Sequence, residues 1–141
     1  MYYIAYGSNL NLEQMSHRCP GATVVGKTVI NNHKLVFRGR AGNTHATVEP
    51  AEGYQVPVLV WKINEQNEIA LDRYEGVPTY YTKEGLVIKI GDKVHEALIY
   101  VMAAGNKLGR PSKGYYSAIK DGYLAAEFDL EILEKALKES C

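Results

Sequence analysis

The chain has 141 residues, of which 46% are apolar and 23% charged, a balance that argues against disorder and suits a globular core. Its 16 basic and 16 acidic residues cancel, so it lacks the basic excess with which a nucleic-acid binder neutralises phosphate. No apolar run approaches the ~18 residues of a membrane span, and neither nucleic acid nor a membrane is an expected partner.

In chain order, Tyr2 to Tyr6 reads as a short strand. Met1-Tyr2-Tyr3-Ile4-Ala5 has no basic stretch and no long apolar stretch, so no signal peptide is expected and the location is read as cytoplasmic. Gly7-Ser8-Asn9 is turn chemistry. Asn11 with Gln14 resembles a capping box, which predicts a short helix to about Arg18, stopped by Pro20-Gly21. Cys19 and Cys141 have no metal-ligand spacing and are expected as free thiols in a reducing cytosol.

The middle is rich in β-branched and aromatic residues. Val24 to Ile30, with a bulge at Gly26, Lys34 to Arg38, His45 to Glu49 and Val56 to Ile63 read as four strands. Val58-Leu59-Val60-Trp61 has the continuous apolar character of a strand buried on both faces. Asn64 to Tyr74 turns to helical spacing, with Ile69, Leu71 and Tyr74 as candidate buried positions. Tyr80 to Ile90 and Val94 to Met102 read as a hairpin around Gly91-Asp92. Ala103 to Pro111 reads as a Gly-rich loop. Ser112 caps a helix to about Asp121, and Asp129 caps a last helix with Leu130, Leu133 and Leu137 on one stripe. The expectation is one α+β domain over residues 1–141, a small, mostly antiparallel β-barrel with surrounding helices. At this size a chain buries roughly 68–70% of its unfolded surface, so it needs neither metal nor disulfide to fold.

Several kinds of chemistry leave no trace in the sequence. There is no Gly-x-Ser-x-Gly elbow, no nucleophile motif around Ser or Cys, no His/Glu helix pair for zinc, and no dinucleotide or Walker pattern. His17, His33, His45 and His95 are scattered. No cofactor and no metal are expected. Two local features remain. Tyr6-Gly7-Ser8-Asn9-Leu10 ends a strand in a turn whose amides can face an anion or a carbonyl oxygen. Glu75 follows a helix, at the negative pole of its dipole, where its proton affinity is raised. Eleven tyrosines against two phenylalanines suit a polar, aromatic-lined cavity, although strands also favour tyrosine.

Together these features resemble the γ-glutamylcyclotransferase family. The pattern is Tyr-Gly-Ser-Asn-Leu near the N-terminus, Leu71-Asp72-x-x-Glu75-Gly76 in mid-chain and Pro111-Ser112-x-x-Tyr115 before a late helix. Ala46-Thr47 and Tyr100-Val101-Met102 fall in the same order. The resemblance implies an enzyme that cyclises a γ-glutamyl group to 5-oxoproline and releases an amine or amino acid. It implies Glu75 as acid/base, with Tyr6, Gly7, Ser8, Asn9 and Leu10 holding the γ-glutamyl part and Tyr100 and Tyr115 lining the pocket. The expected partner is a small γ-glutamyl substrate, and a homodimer is compatible with it. The residues after Glu75 leave open whether Tyr80 or Tyr81 faces the pocket. The chemistry suits these residues. The substrate's own α-amine is the nucleophile, so no Ser or Cys is needed. One carboxylate can take the amine proton and return it to the leaving nitrogen. A non-catalytic module that binds a γ-glutamyl or amino-acid ligand is the alternative from another class.

Overall fold

The computed structural model describes residues 1–40 and 42–140. Tyr2–Ala5 forms β1, short and apolar enough to run through the centre of the sheet, with Tyr3, Ile4 and Ala5 buried. The segment from Thr23 to Lys62 is two long strands, Thr23–Arg40 (β2) and Asn43–Lys62 (β3), paired antiparallel along their length. This corrects the expectation of four strands. The turn-rich residues Asn31, Asn32 and Pro50 to Tyr54 do not end the strands. Register shifts from Asn31 opposite Gln55 to His33 opposite Pro50, and Asn32 takes a left-handed φ of 57° there. A bulge of this kind bends a strand pair without breaking it. The second register shift, between Val24 and Gly26, is the bulge the sequence suggested.

Tyr81–Ile90 (β4) and Lys93–Met102 (β5) form the predicted hairpin. Lys107–Leu108 (β6), within the stretch read as loop, adds a two-residue edge beside Arg38 and Gly39. The sheet order is β4-β5-β1-β3-β2-β6, and among the described residues only the β1–β5 pair is parallel. The sheet curls into a half-barrel. A Cβ on Gly26 in β2 would lie 2.8 Å from Ile90 Cγ2 in β4, although the two strands are not sheet neighbours. The expected α+β, mostly antiparallel, barrel-like architecture is thus present. Its interior holds Ile4, Phe37, Val56, Val58 and Val60, all with no exposed surface. Each such side chain stabilises the fold by about 1.5–3 kcal/mol.

Among the described residues four α-helices pack around the sheet. Leu12–Arg18 (α1) is capped by Asn11, whose side chain accepts from Gln14 N at 3.0 Å. Glu65–Glu75 (α2) opens on a capping box of Asn64 and Asn67. It buries only Asn67 and Leu71, one turn apart, and Ile69 and Tyr74 are exposed rather than core, because the helix presents a narrow strip to the protein. Lys113–Ala126 (α3) passes through Gly122 and ends later than Asp121, since Ile119 and Tyr123 continue its buried face. Leu130–Glu139 (α4) starts at the Asp129 cap, with Leu133 fully buried. The buried thiol of Cys19 is free, and Cys141 lies outside the described residues. No helix among the described residues is long and apolar enough to cross a membrane.

Gly122 matters for the site. A Cβ there would lie 2.6 Å from Leu10 Cβ and 2.8 and 2.9 Å from the carbonyl carbon and oxygen of Leu10. α3 can lie against the first loop only because residue 122 has no side chain.

Candidate active site

β1 delivers the chain into the first loop, where Ser8–Leu10 forms a single 3₁₀ turn. Leu10 N donates to Gly7 O at 3.0 Å, and Asn11 N donates to Ser8 O at 3.0 Å. These bonds leave the Ser8 and Asn9 amides unpaired within the turn. The side chains are anchored outward from it. Asn9 Nδ2 donates to Tyr3 Oη at 2.7 Å, its Oδ1 accepts from Arg18, and Ser8 Oγ lies 3.1 Å from Tyr74 Oη. Leu10 does not line the site. It is fully buried under α3 and holds the loop down.

Tyr6, Gly7, Ser8 and Asn9 form one wall of a recess of about 100 Å³ that also contains Glu75, Tyr100 and Tyr115. The structure therefore brings together every residue singled out from the sequence except Leu10. Both Tyr80 and Tyr81 face the same space. Tyr3, His45 and Tyr74 also line it and carried no separate signal in the sequence. His45 could have been found from its place beside Ala46-Thr47, and Tyr3 from its spacing to the loop.

Glu75 is the last residue of α2, and Gly76 closes the helix in the left-handed region (φ 67°, ψ 40°). The helix thus ends with its final carboxylate turned into the tyrosine cluster. Burial raises the Glu75 pKa from 4.5 to about 7, while the Arg18 guanidinium pulls the other way. Arg18 does not pair with Glu75. It lies 3.5 Å over the Tyr74 ring and is tied to Asn9 Oδ1 and Gln14 Oε1. A carboxyl with a pKa near 7 can take a proton and return it at neutral pH.

The phenols differ in what they have left to offer. Tyr115 is in the first turn of α3, where its amide donates to the Ser112 cap. Its Oη accepts from Ala46 N at 3.0 Å, so the hydroxyl hydrogen is free to donate. Tyr100 donates to Asp72 Oδ1 at 2.5 Å, and it presents only its ring. Tyr6 donates to Tyr100 O at 2.6 Å and Tyr81 to Ala46 O at 2.5 Å. These bonds tie β1, β3, β4 and β5 together behind the recess. Burial pushes all four hydroxyls well above the usual phenol range, so they act as neutral groups. His45 Nδ1 lies 2.7 Å from Tyr80 Oη, and burial lowers its pKa, which favours neutral imidazole. Among the described residues no group of three or more His, Cys, Asp and Glu side chains is placed to hold a metal ion.

The fold and the site define a class: a half-barrel α+β protein with one high-pKa carboxylate in a tyrosine-walled recess beside a Gly-Ser-Asn turn. Residues 3–122 match the family model described as gamma-glutamyl cyclotransferase, AIG2-like, and the chain belongs to that family. It is 35% identical over 95 residues to the gamma-glutamylcyclotransferase of Bos taurus, covering 62% of this chain and 48% of that one. To the Homo sapiens gamma-glutamylcyclotransferase it is 35% identical over 99 residues, covering 65% and 50%. The chain thus spans about half the length of the curated relatives it matches. A solved structure of a gamma-glutamyl cyclotransferase superposes with a TM-score of 0.85 at 28% identity, over 96% of this chain and 85% of the other.

Proposed function

We propose that the protein converts a γ-glutamyl amino acid or amine into 5-oxoproline and the free amino acid or amine. The observation that carries this reading is the Glu75 carboxyl, raised to about 7 inside the recess that the first loop walls. In the proposed reaction the substrate α-amine attacks its own γ-carbonyl carbon and closes a five-membered ring. Ring closure within one molecule avoids the entropy cost of bringing two reactants together. Glu75 takes a proton from the attacking amine. The tetrahedral oxyanion is met by preorganised donors, for which the unpaired Ser8 and Asn9 amides and the free Tyr115 hydrogen are suited. The carbon–nitrogen bond to the leaving group then breaks, and Glu75 returns its proton to the departing nitrogen.

Binding alone calls for a carboxylate that stays ionised beside the ligand's α-ammonium, whereas a carboxyl held near neutrality is suited to exchanging a proton. The test is a panel of γ-glutamyl dipeptides and γ-glutamylamines with 5-oxoproline as readout. Release of 5-oxoproline supports the enzyme. Saturable binding without release supports the ligand-binding module.

A further inference from the structure

Beyond the recess lies a second, larger cleft of about 1100 Å³, and Tyr80 lines both. The cleft is bounded by β2 and β3 near their turn and by residues 103–110. Its shape is built. Arg38 donates to Asn106 O at 3.1 Å and pairs with Glu49, Gly109 N donates to Phe37 O at 3.2 Å, and Asn106 Nδ2 donates to Ala103 O at 3.0 Å. A Cβ on Gly109 would lie 2.6 Å from Thr44 Oγ1, so this loop sits directly on β3.

The charge is one-sided. Arg40, Lys107 and Arg110 line the cleft, and among the described residues no Asp or Glu does. None of the three makes a salt bridge among the described residues. Arg38, the remaining cation beside them, is already neutralised by Glu49. The boundary with the recess is polar. Tyr80 Oη lies 2.7 Å from His45 Nδ1 and 3.3 Å from Asn43 O.

The proposed reaction needs room on the far side of the scissile bond, and the cleft that shares Tyr80 with the recess offers it. We infer that the cleft lined by Arg40, Lys107 and Arg110 is the leaving-group subsite, and that it selects an acidic amino acid, one carrying a second carboxylate. This rests on the cyclotransferase reading above and deepens it. Against three cations, a leaving amino acid with one carboxylate neutralises one positive charge, and one with two carboxylates neutralises two of the three. Like-signed cations facing a cleft raise the local concentration of anions.

The experiment compares γ-glutamylglutamate with γ-glutamylglutamine, near-isosteres that differ by one charge. Dissociation constants are measured calorimetrically on the Glu75→Gln protein, and kcat/KM on the unaltered protein. The expected result is a preference for γ-glutamylglutamate of roughly three- to tenfold at low ionic strength, shrinking in high salt as exposed charge contacts are screened. In the Lys107→Gln/Arg110→Gln double variant the ratio falls towards one. Equal affinities, a ratio indifferent to salt, or a double variant that weakens both ligands alike would overturn the inference. The salt dependence needs no substitution at the cleft, so a misfolded double variant does not spoil the test. If 5-oxoproline forms without charge preference, only the subsite fails. If the charge preference appears in binding without 5-oxoproline, the enzyme reading and the leaving-group role fail and only the selection of acidic ligands by the cleft stands. If neither ligand binds, both fail.

Discussion

Gly122→Ala isolates how the first loop is held. In an exposed helix interior this change stabilises by about 1 kcal/mol, because Ala has the better helix propensity. Here the new Cβ would meet Leu10 backbone atoms at 2.8 and 2.9 Å, against ordinary contact from about 3.4 Å. Backbone cannot rotate away as a side chain can, so the loop or α3 must shift by about half an ångström. Overpacking of this kind costs about 1–3 kcal/mol. The overpacking offsets or exceeds the propensity gain, and a net loss of about 0–2 kcal/mol is expected in a urea melt. Leu10 is covalently continuous with Ser8 and Asn9, so the shift also reaches the recess wall. A 1 Å misplacement can cost about 100-fold in rate, so a loss of roughly tenfold in kcat/KM for 5-oxoproline release is expected. Gly114→Ala on the same helix is the control. Its Cβ would meet nothing within 4 Å, and it should gain a few tenths of a kcal/mol with activity kept. If Gly122→Ala gained about 1 kcal/mol with full activity, the close approach of α3 to the loop would be wrong.

Glu75→Gln should be more stable than the unaltered protein at alkaline pH. Native Glu75 has its pKa raised to about 7 from 4.5, so its contribution to stability is fully present below 4.5 and is lost as pH rises through 7. At about 1.4 kcal/mol per pH unit the difference over the roughly 2.5 units between 4.5 and 7 is about 3.5 kcal/mol, trimmed to about 2 by partial exposure. Melts that show no pH-dependent gap between the two proteins would contradict the burial argument. Arg18→Met removes the cation that favours ionised Glu75, so the acidic limb of the kcat/KM profile should move to higher pH. A fall in kcat with the limb unmoved would reduce Arg18 to a brace for Asn9 and Tyr74. Tyr115→Phe should lower kcat more than it raises KM, because its free hydrogen is suited to the oxyanion, and it should cost about 1 kcal/mol because Ala46 N–H loses its acceptor. Unchanged kinetics would remove Tyr115 from the site.

The parts of the fold legible in the sequence were those with local causes. The Asn11, Ser112 and Asp129 caps, the Gly91-Asp92 hairpin and the apolar run from Val58 to Trp61 all appear where short-range chemistry places them. The errors came where tertiary packing overrides local signals. Asn31 and Asn32 look like a turn, yet pairing resumes beyond them and the strands bend. Tyr74 has the spacing of a core residue but is exposed, with Arg18 stacked on its ring. The carboxylate and the loop were legible because they lie in contiguous motifs. Arg18 was not, because it reaches the wall from a separate element, α1, whereas Tyr3 and His45 lie beside the motifs at Tyr6–Leu10 and Ala46-Thr47 without a signal of their own. Leu10 is part of the motif and yet serves the packing, which contiguity alone cannot reveal.

The most direct test of the account is 5-oxoproline release from γ-glutamyl substrates by the unaltered protein and by Glu75→Gln, with ligand binding followed in parallel. The account predicts release by the first, and by the second none above background while binding and fold persist. Near-equal release by the Glu75→Gln protein would contradict the claim that this carboxyl moves the proton.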